Sequence, residues 1–246
     1  MKLRIFLLCL GFVCAAGAQP EIVTKDGVRY FVWKAAPEKV RVVWKDAAGK
    51  QLEGFPAAKA YLEGKGEKPL MLMNGGIFEP GAVPSGVMVQ EGKELRPVNR
   101  KDGEGNFFLK PNGIFLITEK GARVMETSKY PPEGEKVIYA VQSGPLLLEG
   151  GKVHPAFNEG SKSRLLRNGV GVAKDGTVIF AISDSKGARW PNLYGFANLF
   201  LSLGCENALF LDGDISQMRF GADLGKRSNR FGSVIAVVED EVPSDQ

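Results

Sequence analysis

Alternating apolar and polar positions predict β-structure in the N-terminal part of the chain. The alternation favours half-buried strands over residues 28–34 and 40–45, and a continuous apolar run favours a buried strand at 69–73. A short helix is predicted before that run, over residues 57–62. Apolar runs that flank turn residues predict hairpins with turns at 90–93, 111–113 and 119–121, and further strands at 137–141 and 146–148.

The C-terminal third predicts strands on both sides of one helix. Residues 169–183 predict a hairpin with a central Asp-Gly turn. A helix is predicted over residues 193–203, with Asn192 as its N-cap and Gly204 as its C-terminal stop. A strand follows at 208–211.

A strand, a helix and a strand joined by short connections are typical of a right-handed crossover, which makes the two strands parallel. Their C-terminal ends then lie at the same edge of the sheet. Asp184 and Asp212 follow these two strands, so both are expected on one rim, and Asn74 has the same placement after the strand at 69–73. Because ligands of α/β sheets bind at such strand ends, the rim is the predicted functional site.

The amino-acid composition shows a high glycine content. The chain has 31 glycines in 246 residues without a Gly-X-Y period, which indicates many tight turns. With 44% hydrophobic and 24% charged residues, wholesale disorder is excluded. The predicted fold class is α+β: a β-rich mixed sheet with many hairpins and a C-terminal strand-helix-strand crossover, in a single domain over residues 19–246.

Residues 1–18 have the pattern of a secretory signal peptide. Lys2 and Arg4 form the charged start, an apolar segment follows at 5–13, and small residues at 16–18 form the cleavage site. A periplasmic or secreted mature protein starting at Gln19 is therefore expected, with no membrane span after cleavage. Cleavage lowers the formal net charge of +4 by two, which argues against nucleic acid as a partner.

The cysteines and the histidine exclude several kinds of site. Cys9 and Cys14 leave with the signal, so Cys205 has no internal disulfide partner and is predicted to be a small buried core residue. One histidine, His154, rules out His-rich zinc sites and is assigned a structural or rim role. The segment 212–216 resembles the start of an EF-hand loop, but Gln217 stands where that loop needs glycine. No metal and no cofactor are expected.

Polar residues cluster at glycine-rich strand ends, where each cluster is either a turn or a site. Glycine lets a backbone approach a ligand closely and exposes amide donors to anions. A guanidinium grips a phosphate with two parallel hydrogen bonds. Arg164 and Arg167 are three residues apart and face opposite ways on a regular strand, and Arg167 is the one expected to enter the site. The clusters are Asn74 to Glu79, Gln142 with Ser143, Arg167 with Asn168, and Asp212 with Ser216.

Together these clusters resemble the phosphodiester glycosidase family, and most closely its bacterial exported branch. The resemblance covers residues 70–238, and the order and spacing of the motifs carry it. One departure is Asp214-Ile215, where the animal enzymes have a glycine run. The motifs are Asn-Gly-Gly-Ile-Phe at 74–78, Ser-Gly-Pro at 143–145, Gly-Lys-Val-His-Pro at 151–155, Arg-Asn-Gly-Val-Gly at 167–171, Ile-Ser-Asp at 182–184, Leu-Gly-Cys at 203–205 and Leu-Asp-Gly at 211–213.

The resemblance implies hydrolysis of a sugar 1-phosphodiester at the anomeric carbon, giving free sugar and a phosphomonoester. Asp212 would position or deprotonate water, Arg167 would hold the phosphate, and Glu79 or Asp184 would be the second carboxylate. A phosphate leaves as a stable anion, so it needs less protonation than an alkoxide. Sugar hydroxyls and phosphate oxygens would be bound by Asn74, Gly75, Gly76, Gln142, Ser143, Asn168 and Ser216.

Two other functions remain open at this stage. A non-catalytic domain that binds envelope glycan would bind tightly without turnover. A metal-dependent phosphodiesterase would use Asp184, Asp212 and Asp214 around magnesium or calcium and cleave the phosphorus–oxygen bond. Sensitivity to chelator and release of a sugar phosphate would distinguish it.

Overall fold

The computed structural model describes residues 19–239. The predicted signal peptide, its cleavage site, Cys9 and Cys14 lie outside the described residues. Two α-helices are found in the described part of the chain, α1 (Phe55–Glu63) and α2 (Leu193–Ser202). Eighteen strands are found there: β1 (Glu21–Lys25), β2 (Val28–Ala35), β3 (Val40–Val43), β4 (Pro69–Asn74), β5 (Phe78–Glu79), β6 (Val83–Pro84), β7 (Met88–Gln90), β8 (Lys93–Arg96), β9 (Gly113–Thr118), β10 (Gly121–Glu126), β11 (Val137–Ser143), β12 (Leu146–Glu149), β13 (Lys152–Val153), β14 (Asn168–Ala173), β15 (Val178–Ser183), β16 (Cys205–Asp212), β17 (Met218–Phe220) and β18 (Val234–Val238).

The strands form four sheets. A seven-stranded sheet has the order β1-β2-β15-β14-β16-β12-β13, and a five-stranded sheet has the order β10-β9-β11-β7-β8. A four-stranded sheet, β17-β4-β18-β3, and the two-stranded β5-β6 complete the set. This architecture confirms the predicted β-rich α+β class.

The expectation of a mixed sheet is corrected, because every strand pair among residues 19–239 is antiparallel. The strands on either side of α2 are nevertheless parallel to each other, since β14 lies between β15 and β16 and is antiparallel to both. Asn168 of β14 is paired with Ile182 on one side and with Asp212 on the other. The ends of β15 and β16 therefore lie on the same rim, as predicted.

Most of the predicted hairpins are present, and one is wrong. The turns after β7, β9 and β14 join antiparallel neighbours. No strand precedes the turn predicted at 111–113: Gly113 opens β9, and a short 3-10 helix, Asn106–Phe108, comes before it. Pro-Asn-Gly marks the end of a loop here, which the turn chemistry alone does not distinguish from a hairpin.

The core is built in layers. One face of the seven-stranded sheet packs against α2, through Phe196 and Phe200. A Cβ on Gly171 of β14 would lie 2.6 Å from Cys205 Sγ and 2.8 Å from a Phe200 ring carbon, so glycine lets α2 pack directly on the strand. The other face packs against the five- and four-stranded sheets through a large apolar cluster that includes Phe115 and Phe180. Helix α1 covers the outer face of the four-stranded sheet.

Both ends of α2 have the terminating residues that the sequence predicts. The Asn192 side chain accepts a hydrogen bond from the Gly195 backbone N–H at 2.8 Å, which is the predicted N-cap. After the helix, Gly204 has φ of +84°, a left-handed conformation that ends the helix. Neither helix within residues 19–239 has the length and apolar character needed to cross a membrane.

Candidate active site

Four polar side chains from separate segments form one hydrogen-bonded network, the Asn74–Asp212 network. Asn74 ends β4, Asn168 begins β14, Asp212 ends β16, and Ser216 follows in the loop. Asn168 Nδ2 donates to Asn74 O at 2.9 Å and to Asn74 Oδ1 at 3.1 Å. Ser216 Oγ donates to Asn168 Oδ1 at 3.1 Å, and Asn74 Nδ2 donates to Asp212 Oδ2 at 3.4 Å. The structure thus brings together four of the site residues predicted from the sequence.

The network lies where two sheets meet. Asn74 belongs to the four-stranded sheet, and Asn168 and Asp212 are opposite each other on neighbouring strands of the seven-stranded sheet. Both asparagines are almost fully buried, and the Gln217 backbone N–H donates to Asn74 Oδ1 at 2.9 Å. Because every amide orientation is fixed by a partner, the Asn74 donor is held toward Asp212.

Asp212 is the titratable member of the network. Burial, and to a smaller extent the charge of Asp214, raise its pKa from 3.8 to about 6. The Gly213 backbone N–H, which donates to Oδ1 at 2.7 Å, and the Asn74 amide act in the opposite direction. A carboxyl group with a pKa near 6 can accept or release a proton close to neutral pH, which is what general acid or base catalysis requires.

Arg167 is buried on the helix side of the seven-stranded sheet. Its Nε donates to Pro191 O at 3.2 Å, its Nη2 donates to Ser163 O at 3.0 Å, and its guanidinium lies 5.5 Å from the centre of the Phe210 ring. Burial lowers its pKa to about 10, so the group stays charged at neutral pH. No hydrogen bond joins it to the Asn74–Asp212 network; its coupling to the site is electrostatic, through Asp214.

Gln142 and Ser143 make hydrogen bonds within the protein. Gln142 Oε1 accepts from Val87 N at 3.0 Å and Asn99 N at 2.9 Å, and its Nε2 donates to Asn99 O at 2.6 Å. Ser143 Oγ donates to Leu211 O at 2.8 Å. These side chains hold loops and strands in place around the site.

The two glycines after Asn74 are required by close packing. A Cβ on Gly75 would lie 2.2 Å from Ser233 Oγ, and a Cβ on Gly76 would lie 2.5 Å from Gln142 O. Since backbone or buried side chains occupy that space, any larger residue would force the strand ends apart. The glycines therefore act by letting the chain segments around the network approach each other.

The two candidates for a second carboxylate have different surroundings. Asp184 is buried, and it accepts hydrogen bonds from Arg29 Nε at 2.5 Å and from Lys186 N at 2.8 Å. Glu79 is exposed on the short β5-β6 hairpin. Neither is hydrogen-bonded to the network. Asp214, two residues after Asp212, is the carboxylate that acts on it electrostatically.

A cleft of about 520 Å³ adjoins the network at Ser216 and offers room for a substrate. Its walls combine charged side chains with aromatic rings, and Phe31 and Phe220 lie with ring centres 6.1 Å apart. Polar groups beside aromatic rings suit a ligand that has both hydroxyl groups and apolar C–H faces. The charged lining residues include Arg29, Asp184, Lys186, Asp214 and Arg219.

Groups that could support other chemistry are placed elsewhere. Cys205 is buried in the core, as predicted, and burial raises its pKa to about 12. His154 is also buried: its Nδ1 accepts from Ala156 N at 3.1 Å and its ring stacks on Phe157. Within residues 19–239, no group of three or more His, Cys, Asp or Glu side chains is arranged to hold a metal ion.

Two contributors to this region were missed by sequence reasoning. Arg29, in β2, pairs with Asp184 from a position 155 residues away. Ser233 is buried against Gly75, and its hydroxyl has no hydrogen-bond partner in the described part of the chain. Neither carries a local signal, because each role depends on a distant strand.

Comparison with known proteins gives consistent results. The sequence model of a family described as phosphodiester glycosidase matches residues 68–238. The uncharacterized protein YigE of Escherichia coli (strain K12) is 34% identical over 219 residues, which covers 87% of this chain and 84% of that protein.

Solved structures resemble the fold. The catalytic domain of zebrafish N-acetylglucosamine-1-phosphodiester alpha-N-acetylglucosaminidase, auto-inhibited by its pro-peptide, aligns with a TM-score of 0.65 and 18% identity, covering 89% of this chain and 81% of that chain. A putative exported protein from Burkholderia pseudomallei aligns with a TM-score of 0.52 and 14% identity, covering 86% and 74%.

Proposed function

Because this chain belongs to the phosphodiester glycosidase family, we propose that it hydrolyses a sugar 1-phosphodiester at the anomeric carbon, releasing free sugar and a phosphomonoester. Family membership supports a glycosidase-type hydrolase. The observation that carries the finer proposal is Asp212: a partly buried carboxyl group with a pKa of about 6, held by the Asn74 amide at the end of β16.

Asp212 acts as the base that activates water. Its ionised carboxylate accepts a proton from water as the water oxygen bonds to the anomeric carbon. The bond between that carbon and the phosphate oxygen breaks, and its electron pair leaves with the phosphate. A phosphodiester leaves as a stable monoester anion whose second pKa is near 6, so no strong general acid is needed. One carboxylate then does the work for which most glycosidases use two.

Arg167 contributes positive charge to this reaction. Two of its donors are occupied by the carbonyls of Pro191 and Ser163, which fixes the guanidinium in place. A fixed cation in a buried setting stabilises an anion that develops nearby more strongly than a solvated one would. The role proposed for Arg167 is therefore electrostatic stabilisation of the departing phosphate.

Export is part of the proposal. The signal-like pattern of residues 1–18 supports a periplasmic or secreted enzyme, whose substrates would be sugar phosphodiesters or phosphate-containing glycans of the cell envelope. N-terminal sequencing of secreted material tests this point, and Met1 at the N-terminus would contradict it.

The reaction is tested with a panel of sugar 1-phosphodiesters in oxygen-18 water, with and without EDTA, followed by NMR and mass spectrometry. Heavy oxygen in the free sugar, unaffected by chelator, is the expected result. Heavy oxygen in the phosphate would assign the protein to the phosphodiesterases, and binding without turnover would make it a glycan-binding domain.

Two variants complete this test. Asp212→Asn keeps the shape of the side chain and removes the base, so kcat is expected to fall by about 10²-fold or more. Asp102→Asn is the matched control, because the Asp102 side chain is 93% exposed and lies outside the network. Full turnover by a folded Asp212→Asn protein would contradict the mechanism.

A further inference from the structure

A second cleft opens on the helix face of the seven-stranded sheet, and none of the four network residues lines it. Its volume is about 340 Å³, and it is bounded by the β1–β2 turn, the loop before β14 and the first turn of α2. Three cationic side chains, Lys25, Arg164 and Arg189, line it, and none of them forms an ion pair within residues 19–239. Unpaired cations gathered in one concave surface favour an anionic ligand.

Tyr30 gives this cleft a buried donor. The residue is 1% exposed, and its ring stacks on Phe196 with centres 6.0 Å apart. Its hydroxyl has no hydrogen-bond partner in residues 19–239 and keeps contact with solvent, so it opens into the cleft that the residue lines. Burial and the charge of Asp26 raise its pKa, which keeps the hydroxyl protonated. A buried donor that the protein leaves unpaired is available to a ligand.

The surroundings of Tyr30 are also positive. Tyr194 and Gly195, in the first turn of α2, line the cleft, so the positive end of the helix dipole faces it. Arg167 lies beside the cleft, because its Nε donates at 3.2 Å to the carbonyl of Pro191 in the lining, and its positive charge acts on the Tyr30 hydroxyl. Two carboxylates, Asp26 and Glu159, are exposed in the lining, and they are outnumbered by the cations.

We propose that this cleft binds a phosphate group of the substrate other than the one whose glycosidic bond is broken. Arg167 connects the two regions, because it directly precedes Asn168 of the network and its Nε donates to the carbonyl of Pro191, which lines the cleft. A chain of sugars joined by phosphodiesters presents such a second phosphate, so the substrate class is a polymeric sugar phosphate. The identity of the ligand as substrate rests on the proposed function, whereas phosphate binding does not require turnover.

Binding is tested by titrating inorganic phosphate at low ionic strength and following backbone N–H signals by NMR. Shifts are expected at Tyr194 and Gly195. Tyr30→Phe keeps the ring stack and removes a hydroxyl that has no protein partner, so the variant folds normally. It is expected to weaken phosphate binding about tenfold or more, the value of one hydrogen bond to an ion. Arg164→Gln is expected to act in the same direction.

Lys162→Gln is the matched control, since it removes an equal charge from the same loop at an exposed position outside the cleft lining. Unchanged affinity in both Tyr30→Phe and Arg164→Gln, equal weakening by Lys162→Gln, or shifts confined to Gly75 and Gly213 would each overturn the proposed site.

Kinetics test the substrate class. Tyr30→Phe is expected to raise KM for a poly(sugar phosphate) and leave kcat unchanged, and to have no effect on a substrate with a single phosphodiester. An equal effect on both substrates would overturn the assignment to a second phosphate. Phosphate binding in the cleft without turnover of any substrate would instead uphold the site and overturn the hydrolase.

Discussion

At the scale of single residues, two opposing effects act on the ionisation of Asp212. Burial favours its neutral form, yet the proposed base must be ionised. The Asn74 amide and the Gly213 N–H oppose the effect of burial and keep the pKa near neutrality. A small change in local charge therefore changes the fraction of Asp212 that is ionised near neutral pH.

The rate of hydrolysis should depend on this proton. Because the active form is the carboxylate, kcat/KM is expected to rise with pH through a midpoint near 6 and to level off above it. Asp214→Asn removes a charge that raises the Asp212 pKa, so the midpoint should move to lower pH. A pH–rate profile of both proteins measures the shift, and an unchanged midpoint would contradict the coupling.

Asp212 should also link stability to pH. The pKa of Asp212 is higher in the folded protein than in the unfolded chain. Its contribution to the free energy of unfolding is therefore fully present below about pH 4 and is lost as pH rises through 6. Asp212→Asn cannot ionise at this position. The unfolding free energy of the variant minus that of the wild type should therefore increase by about 1–3 kcal/mol from pH 4 to pH 8. Urea unfolding at the two pH values measures this, with Asp102→Asn as control. An equal difference at both values would contradict it.

At the scale of elements, α2 fixes the loop that leads to the site. Besides capping the helix, Asn192 Nδ2 donates to Glu159 O at 2.8 Å and to Ser161 O at 3.0 Å. One side chain therefore ties the start of the helix to the loop that carries Arg164 and Arg167. The N-cap was predictable because its donor lies three residues away; the two loop contacts, some thirty residues distant, were not.

Asn192→Ala should cost about 1–2 kcal/mol of unfolding free energy, since it removes the cap and both loop contacts. Ser202→Ala, in the last turn of the same helix, should stay within about 0.5 kcal/mol. Chemical denaturation of both variants measures the difference, and equal costs would show that the cap does not anchor the loop.

At the scale of the whole molecule, the network lies at a junction of sheets, and this explains where sequence reasoning succeeded. Strand existence, the Asp-Gly hairpin and the common rim of Asp184 and Asp212 depend on local patterns and were predicted. The internal partners of Gln142 and Ser143 were not predicted, because Asn99 and Leu211 lie 43 and 68 residues away. Pairings over such distances are set by the order of strands, which a turn motif does not encode.

Ser143 connects three segments at this junction of sheets. Its hydroxyl at the end of β11 donates to Leu211 O of the seven-stranded sheet and accepts from Ile77 N at 3.2 Å, in the segment after β4. Ser143→Ala removes both of these hydrogen bonds from a buried position and should cost about 1–3 kcal/mol. Ser128→Ala, at an exposed position, is the control. Thermal or urea unfolding measures both, and a cost within about 0.5 kcal/mol for Ser143→Ala would contradict this role.

The buried thiol of Cys205 has a practical consequence. It is the single cysteine within residues 19–239, it begins β16 and packs in the same apolar cluster as α2, and its high pKa leaves almost no thiolate at neutral pH. A thiol reagent can therefore label a protein that begins at Gln19 only when the helix lifts from the sheet. The labelling rate then reports the opening of this layer under native conditions, from one atom and without any engineered probe.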